Sequence, residues 1–447
     1  MASTNRTRKG VGGNAVTHEG GRAFKQGAAE ELRRTIMCCM LWEDNFYEDG
    51  ISVADRIATL AKQVNEKELR EILNEAKFVN KLRHAPLYLL VQMAANGVLS
   101  KDDVSKVLTR ADDAGELLAL YYGGKKKPIA KSILKGIAEA FGKFSEYELA
   151  KYNRSREFTL KDILRLTHPK PANDAQSDLW KRLLNDTLAT PDTWEVAISA
   201  CGNDSDRKRD EFTRLIEQKK LGDLAFLRNL RNFEKFNVDR DVVMNSFKDR
   251  KWSKILPYQF IAAARHAPWL EAQLEQAMFQ SLGEEDKLNA TVNLLIDVSG
   301  SMADSISAKG ELTRLDTAKG LAMLLREIVP VNNLRIYKFN TGATEITNRR
   351  GFALADAIGQ ASGGTEMWKA VRDAGNKGHK NITIVITDEQ TSDNGVIKDA
   401  NSDLLIIVNV ADYKNGVGYG NGSVHISGWS EKIVDYIKMY YEKYVAN

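Results

Sequence analysis

A chain of 447 residues is too long for one ordinary hydrophobic core, and a composition of 43% hydrophobic and 28% charged residues is that of a globular protein with two or three domains. No apolar run is long enough to cross a bilayer, and the polar, basic first residues lack the apolar stretch of a secretory signal, so we expect a cytoplasmic protein with no membrane segment. The net charge is only +4, and the three cysteines and six scattered histidines indicate neither a disulfide scaffold nor a zinc site.

The first two thirds of the chain have a helical pattern. Residues 1–20 are rich in glycine and basic side chains and are predicted to be a flexible basic arm. From 28 to about 278, apolar residues recur at three- and four-residue spacing, which is typical of amphipathic helices. Short predicted helices such as 51–64 and 257–265 are separated by glycine and proline turns. The pattern over residues 21–287 predicts an α-helical solenoid or an irregular bundle, although no fixed repeat length is found.

The pattern changes at residue 288, where apolar runs begin to alternate with amphipathic stretches. Strands are predicted at 292–298, 334–339, 382–387 and 404–410, and helices at 313–329, 352–360, 366–376 and 431–444. Fully apolar strands that alternate with helices imply a parallel sheet covered on both faces. Residues 288–447 are therefore predicted to be a doubly wound, Rossmann-like α/β domain, in which ligands bind beyond the carboxyl ends of the strands.

Oxygen-bearing side chains fall in three loops of this domain. They are Asp297, Ser299 and Ser301 after the first strand, Thr365 before a helix, and Asp388 after a later strand. Hard oxygen donors of this kind suit Mg²⁺, with Mn²⁺ or Ca²⁺ as alternatives, rather than zinc. The Asp297 segment taken alone is better explained as a loop that caps a helix. The three loops together resemble the von Willebrand factor A family, whose metal-ion-dependent adhesion site reads DxSxS, then Thr, then Asp, and every position of that motif is filled.

Basic side chains cluster along and before the predicted helix that ends at His168. They are Lys151, Arg154, Arg156, Lys161, Arg165, His168 and Lys170. On a helix, Lys161, Arg165 and His168 share one face, and such a face can neutralise several phosphates of a nucleic acid. His168 is equally compatible with a residue that ends a helix and caps its carbonyls. Further along, Arg228 and Arg231 are either helix-surface charges or RNA contacts.

Four segments of the helical part occur together in a fixed order. They are His18-Glu19-Gly20-Gly21 followed by Phe24, the stretch FTLKDILRLTHPKP at 158–171, LGDLAFLRNLRN at 221–232, and ILPYQFIAAAR at 255–265. Together they resemble the TROVE module of the Ro autoantigen family, including its bacterial or phage-type members, in which this module precedes a von Willebrand factor A domain, as it does here. The resemblance covers nearly the whole chain, and it implies HEAT-like helices closed into a ring by the A domain.

The resemblance also implies a function. Ro family members are RNA-binding proteins without enzymatic activity that act as ribonucleoprotein scaffolds in noncoding RNA quality control. They bind Y RNA on an outer basic surface and the single-stranded 3′ ends of misfolded RNAs in the central hole, and a bacterial Y RNA can tether the ring to the exonuclease polynucleotide phosphorylase. The Y RNA residues of the family match Lys151 and His168, whereas a family arginine is replaced by Ser155, which Arg154 and Arg156 flank.

Two other functions stay open at this stage. In the first, the helical part is a scaffold and the metal grips an acidic residue of a protein partner. In the second, the protein is a metal-dependent nuclease or phosphatase, which we regard as the weaker hypothesis because hydrolases commonly have a second metal or an evident general base, and Glu389 is the only nearby candidate. A serine hydrolase is disfavoured because there is no GxSxG elbow and no histidine is evidently paired with the serines. The bound RNA, the metal and the oligomeric state are not predicted by the sequence.

Overall fold

The structure is a computed structural model that describes most of the chain in two compact units. The described residues are 11–25, 27–39, 41, 49–123, 127–252, 255–281, 287–307, 310–377, 381–413, 416–417, 423–429 and 432–445. One unit comprises 55–203, and the other comprises 1–54 together with 204–447. The first ten residues of the predicted basic arm lie outside the described part. The domain boundaries at 20/21 and 287/288 stay predictions, as does closure into a ring.

The described chain starts with a hairpin. Strands β1 (Val11–Val16) and β2 (Arg22–Lys25) pair antiparallel, and helices α1 (Ala28–Cys38) and α2 (Gly50–Ala61) follow. Residues 11–16 of the predicted arm are therefore a strand. Of these elements, α1 packs against the last strand of the large sheet described below.

The unit of residues 55–203 is helical. Its helices are α3 (Glu66–Asn74), α4 (His84–Ala95), α5 (Lys101–Val107), α6 (Asp113–Tyr122), α7 (Lys131–Phe141), α8 (Glu146–Tyr152), α9 (Leu160–Thr167), α10 (Asp174–Leu184) and α11 (Trp194–Ala200). Most pack against the helix two positions further along the chain, as α4 does on α6, α5 on α7 and α7 on α9. This packing gives the two helical layers of a solenoid, as the sequence predicted.

Side-chain caps fix where several of these helices begin. Ser100, Ser145 and Thr159 each accept a hydrogen bond from the backbone N–H three residues later, and an acidic residue at that position accepts one from the backbone N–H of the cap. Such capping boxes satisfy donors that the helix leaves unpaired at its first turn. The caps fix the starts of α8 and α9, which carry Lys151, Lys161 and Arg165 of the predicted RNA-binding residues.

Five further helices precede the large sheet in the other unit. They are α12 (Ser205–Glu217), α13 (Asp223–Lys235), α14 (Arg240–Ser246), α15 (Pro257–His266) and α16 (Glu271–Ser281). The alternating contact pattern continues here, because α12 packs on α14 and α13 packs on α15. Among the residues that the structure describes, none of the helices is both long and apolar enough to span a bilayer.

The sheet has six strands in the order β5-β4-β3-β6-β7-β8, all parallel except β5. The strands are β3 (Val292–Asp297), β4 (Leu334–Phe339), β5 (Ala343–Ile346), β6 (Ile382–Thr387), β7 (Leu404–Asn409) and β8 (Val424–Ser427), and the helices are α17 (Arg314–Ile328), α18 (Gly351–Ile358), α19 (Met367–Gly375) and α20 (Lys432–Val445). Alternate side chains of β3, β4, β6 and β7 enter two cores. One core contains residues of α17, α18 and α20, and the other contains residues of α19. Both faces of the sheet are therefore covered.

The predicted fold class is confirmed, since a helical solenoid-like part and a doubly wound sheet are both present. The four predicted strands agree with β3, β4, β6 and β7 to within one residue. The sequence analysis missed β5 and β8. The first is a short, partly exposed edge strand and the second contains His and Ser, so neither forms the long apolar run that marked the other strands.

A glycine in α7 sets how closely α5 and α7 approach. A Cβ on Gly136 would lie 2.4 Å from Cβ of Val104 and 2.6 Å from the carbonyl oxygen of Lys101. Gly136→Ala should therefore separate the two helices and cost about 1–3 kcal/mol, even though alanine favours a helix. Thermal or urea denaturation measures the effect. Gly342→Ala is the matched control because no atom lies within 4 Å of its added Cβ. Equal stability of both variants would contradict the close packing.

Candidate functional site

The five predicted metal ligands lie at the carboxyl edge of the sheet. Strand β3 ends at Asp297, its neighbour β6 ends one residue before Asp388, and the two strands are parallel. The order of strands reverses between β3 and β6, because the chain builds β4 on one side and β7 on the other. The gap beyond such a reversal is where open α/β sheets bind ligands.

Backbone hydrogen bonds hold the three loops together. The N–H of Gly300 donates to the carbonyl oxygen of Gly363 over 2.9 Å, which joins the DxSxS loop to the threonine loop. The N–H of Ser392 donates to the carbonyl oxygen of Thr365 over 2.8 Å, which joins the threonine loop to the segment after Asp388. The positions of the ligands therefore depend on one continuous network rather than on three separate turns.

The side chains of the first loop have fixed directions. The N–H of Ser299 donates to Oδ1 of Asp297 over 2.8 Å, and the hydroxyl of Thr387 donates to Oδ2 over 2.6 Å. The hydroxyl oxygens of Ser299 and Ser301 lie 3.4 Å apart. Both serine hydroxyls are therefore available beside an oriented carboxylate, as a hard cation requires.

The two carboxylates are buried close to each other. Burial and the charge of Asp388 raise the pKa of Asp297 to about 7. Burial also raises the pKa of Asp388. Oδ2 of Asp388 is buried and has no hydrogen-bond partner. Buried polar atoms are rarely left unpaired, and a cation beside both carboxylates would satisfy this atom and offset their repulsion.

The residues present fit the divalent cation that the resemblance implies, with two carboxylates and hydroxyl groups as its donors. In the part of the chain that the structure describes, no cluster of three or more His, Cys, Asp or Glu side chains is placed to hold a metal. This site differs from such clusters because serine and threonine take the place of further charged ligands. Mg²⁺ accepts oxygen ligands of this kind and commonly retains water.

The site is enclosed. Each of the five predicted ligands is at most 4% exposed. Closed metal sites in proteins usually have a structural role, whereas sites that act on other molecules keep an accessible position. The five side chains are therefore buried at the carboxyl edge of the sheet.

The N-terminal segment contacts the loop that follows Asp388. The hydroxyl of Thr17 and the N–H of Gly21 both donate to the carbonyl oxygen of Thr391, over 2.5 and 2.9 Å. The N–H of His18 donates to Oε1 of Gln390 over 2.8 Å. The segment that precedes the helical part is thereby attached to the edge of the sheet that carries the metal ligands.

These contacts explain the two adjacent glycines of the His-Glu-Gly-Gly sequence. Gly20 has φ +89°, which side-chain-bearing residues rarely adopt. A Cβ on Gly21 would lie 2.1 Å from the carbonyl oxygen of Thr391. The first glycine permits the turn and the second permits the close approach of the two backbones.

Two buried arginines neutralise part of the negative charge at this edge. Arg34 of α1 donates from Nη2 to the carbonyl oxygen of Tyr413 over 2.6 Å, and its Nη1 lies 3.8 Å from Oε2 of Glu389. Arg314 donates to the hydroxyl of Tyr413 and lies 3.2 Å from Asp304. Burial alone would lower the pKa of Arg314, but Tyr413 and nearby carboxylates, including Asp388, raise it.

Buried carboxylates outnumber buried arginines at this edge. Four carboxylates are at most 1% exposed, and they belong to Asp297, Asp388, Glu389 and Asp412. Arg34 and Arg314 are the buried guanidinium groups beside them, and Arg314 also pairs with Asp304. A divalent ion would offset the excess of negative charge, which is a second reason why the residues fit such an ion.

Sequence reasoning missed Arg34, because its partner Tyr413 is 379 residues away and no local pattern marks the pair. Glu389 was expected to be a loop residue or a neighbour of the metal ligands, and the structure places it in the ion pair with Arg34. The only local indication that Arg34 is special was the presence of two adjacent arginines, at positions 33 and 34, in a predicted helix. Both arginines are buried.

The basic residues predicted at 151–170 all lie in the unit of residues 55–203, where the structure places four of them at two depressions. Lys151 and Arg154 line a pocket of about 260 Å³. His168 and Lys170 line a shallow groove of about 510 Å³ together with Lys135, which the sequence analysis had not selected. We call these the Lys151 pocket and the His168 groove.

Ion pairs separate the predicted residues into two classes. Five of the seven form no ion pair with a carboxylate of the described chain: Lys151, Arg154, Arg165, His168 and Lys170. The other two, Arg156 and Lys161, are already neutralised. Arg156 pairs with Asp112 and Glu116, and Lys161 pairs with Asp186. Cations without a carboxylate partner interact most favourably with the phosphates of a nucleic acid.

His168 does end a helix, which was the alternative interpretation of this residue. It is the residue after α9 and has φ +43°, and its N–H donates to the carbonyl oxygen of Leu164. Its side chain is exposed. The interpretation of His168 as a helix end is therefore compatible with its interpretation as an RNA contact.

Arg228 and Arg231 lie on α13, in the other unit. Both are exposed. Arg231 lies 3.9 Å from Glu311, and within the described chain Arg228 makes no ion pair. Nothing in their geometry distinguishes RNA contacts from helix-surface charges.

The buried pair of Arg34 and Glu389 generates a stability prediction. Arg34→Met should cost about 3–5 kcal/mol, because it leaves the Glu389 carboxylate buried without its cation. Adding Glu389→Gln should recover part of this loss. Arg22→Met, at an exposed position, is the control. Denaturation in urea measures all four proteins, and a double variant no more stable than Arg34→Met would show that the pair does not carry the effect.

Comparison with known proteins supports the fold. No family model matches the chain, and no curated protein matches it significantly. The crystal structure of the Ro (RSR) protein of Deinococcus radiodurans matches with a TM-score of 0.60 at 15% identity, over 93% of this chain and 100% of that one. A BatB protein of Bacteroides thetaiotaomicron matches with a TM-score of 0.27 at 16% identity, over 36% of this chain and 100% of its own. An aerotolerance-related membrane protein of Bacteroides fragilis matches with a TM-score of 0.22 at 21% identity, over 27% of this chain and 67% of its own. TM-scores this low support no inference. The resemblance to the Ro family predicted from the sequence is thus confirmed at the level of the fold, which is shared with the Deinococcus radiodurans Ro protein over nearly the entire chain.

Proposed function

We propose that this protein binds RNA and holds a divalent cation at the carboxyl edge of its sheet. The observation that carries the RNA proposal is the set of unpaired cations at the Lys151 pocket and the His168 groove, in a chain that shares the fold of a Ro protein. Cations without a carboxylate partner neutralise phosphates and release counterions when RNA binds.

The finer form of the proposal follows the Ro resemblance. A structured RNA of the Y type binds the surface around Lys151 and His168, and the single-stranded 3′ ends of misfolded RNAs are a second class of ligand. The protein is then a scaffold in RNA quality control, and an exoribonuclease such as polynucleotide phosphorylase is the partner that degrades the RNA.

We propose that the protein itself is not an enzyme. The support is Glu389, the only candidate base that the sequence offers near the ligands, because it is buried and pairs with Arg34. Incubation of RNA with the purified protein and Mg²⁺ tests this. Cleavage that disappears in Asp297→Ala would establish a nuclease instead. The hypothesis of an acidic partner residue at the metal stays a prediction.

The RNA proposal predicts a specific pattern in a filter-binding assay. The wild type should bind structured RNA with a steep salt dependence. Lys135→Gln and Lys170→Gln should each weaken binding and reduce the slope of log affinity against log salt by about 0.7–0.9, because each removes one phosphate contact. Arg209→Gln is the control, since Arg209 is engaged by Asp206 and Asp210. Equal slopes for all four proteins would contradict the assignment.

The metal proposal predicts opposite effects of one substitution with and without the ion. Mg²⁺ should raise the melting temperature of the wild type, and a chelator should reverse this. Asp388→Asn should abolish the dependence on Mg²⁺. In the presence of chelator the same variant should be at least as stable as the wild type, because it removes one of two neighbouring buried charges.

The control for the metal experiment is Asp373→Asn, at an exposed position on α19. It should retain the full response to Mg²⁺. A wild type whose melting temperature is the same in Mg²⁺ and in chelator, and which takes up no Mg²⁺ or Mn²⁺ in calorimetric titration, would refute the proposed site.

A further inference from the structure

A pocket among the helices that precede the large sheet belongs to none of the sites described above. It lies between the turn that joins α12 to α13 and the last residues of α14, and its volume is about 450 Å³. Pockets of this size bind small molecules in other proteins. Ile216, Leu221 and Val242 line part of it and supply an apolar wall. This wall suits a hydrocarbon chain or ring, and the polar lining decides which group that chain carries.

Arg250 is the most deeply buried charged residue of the lining, with a side chain that is 8% exposed. Its Nη1 donates to the carbonyl oxygen of Leu221 over 2.8 Å and to Oδ1 of Asp223 over 3.0 Å. Its Cζ lies over the ring of Phe226, 4.0 Å from the ring centre. These three contacts fix the position of the guanidinium group.

One edge of this guanidinium group has no acceptor. Nε is buried and has no hydrogen-bond partner, and Nη2 takes part in none of the hydrogen bonds between described residues. Buried donors are rarely left unpaired. The N–H of Nε and one N–H of Nη2 point in the same direction, which is the geometry that a carboxylate accepts with its two oxygens. Burial lowers the pKa of Arg250 and Asp223 opposes this only in part, so a second anion would favour the charged form.

Helix α13 begins at the same pocket. Its N-cap, Gly222, and its first residue, Asp223, are both lining residues. Gly222 offers no side chain to the N–H groups of the first turn, and a Cβ added there would meet no atom within 4 Å, so the adjoining space is open. The N-terminal end of a helix carries a partial positive charge that favours an anion. The helix end and the free edge of Arg250 are therefore two separate features that favour an anionic group.

The other charges of the pocket restrict how much charge this anion carries. Cations and carboxylates are equal in number in the lining, which contains Lys219, Arg250, Lys251, Glu217, Asp223 and Asp249. Lys219 and Asp249 pair with each other over 3.0 Å at exposed positions. Since there is no excess of positive charge, the pocket does not compensate a doubly charged phosphate. A single carboxylate, in contrast, is matched by the free edge of Arg250 and the helix end.

We propose that this pocket binds a small carboxylic acid with an apolar body, whose carboxylate accepts two hydrogen bonds from Arg250. The hydrocarbon part lies against Ile216, Leu221 and Val242. The pocket shares no residue with the candidate metal site, the Lys151 pocket or the His168 groove. The inference is therefore independent of the proposed RNA and metal binding, and it adds a small-molecule ligand of a different chemical class.

Hexanoate and hexanamide are suitable probes, because they have the same shape and differ in charge. In a ligand-observed NMR titration of the full-length protein, hexanoate should bind with a dissociation constant on the order of 1 mM, as expected for a ligand of this size. Hexanamide should bind at least about 10-fold more weakly, because it cannot accept two charge-assisted hydrogen bonds. Inorganic phosphate should not displace hexanoate.

Two variants and a control locate the binding. Arg250→Lys keeps a cation beside Asp223 but lacks the second parallel N–H, so it should weaken hexanoate binding by about 10-fold and leave hexanamide binding unchanged. Val242→Phe fills the apolar part of the pocket and should weaken the binding of both probes. Met244→Phe, on the same helix but at a neighbouring depression, should bind both probes as the wild type does.

Several results would overturn the proposal. One is a wild type that binds hexanoate no more tightly than hexanamide, and another is displacement of hexanoate by phosphate. A folded Arg250→Lys variant with the full preference for hexanoate would also overturn it, as would a Val242→Phe variant that binds hexanoate like the wild type. Val242→Phe leaves Arg250 and its bonds in place, so its result decides the matter even where Arg250→Lys fails to fold.

Discussion

The structure depends on negative charge that is buried where β3 and β6 end. Carboxylates taken out of water are costly unless cations or hydrogen bonds compensate them. Here the compensation comes from distant parts of the chain, because Arg34 belongs to the first helix and Arg314 to the helix after β3. The packing of α1 and α17 at this edge and the candidate metal site therefore both serve to compensate the same buried carboxylates.

The need to compensate the buried carboxylates also connects the N-terminal segment to the loops that carry the candidate ligands. Thr17, His18 and Gly21 are bonded to the loop after Asp388, and Arg34 is paired with the residue that follows this ligand. An ion at the site would hold Asp388 in place and with it the surface on which the N-terminal segment lies. Under the proposed function, such an ion would have a structural role, and the basic depressions of the unit of residues 55–203 would contact the RNA.

The parts of the fold that the sequence predicted are those with local patterns. Apolar runs marked β3, β4, β6 and β7, and the alternate positions of Asp and Ser in DxSxS marked three of the candidate ligands. The role of Arg34 could not be predicted, because its partner Tyr413 lies 379 residues away. The hairpin before α1 and the strand β8 were missed because neither forms a long apolar run. Basic composition likewise selected Arg156 and Lys161 together with Lys170, and only the structure shows that the first two are neutralised by neighbouring carboxylates.

The division of the chain into compact units has a consequence for its synthesis. Residues 55–203 form one unit by themselves, whereas the other joins 1–54 to 204–447. On the ribosome, residues 55–203 emerge with all of their own unit, whereas Arg34 of α1 cannot meet Glu389 and Tyr413 until the segments after β6 and β7 have been translated. During that interval the early segment is exposed to chaperones and proteases, so the yield of folded protein should be sensitive to how fast the ribosome reaches the last third of the message.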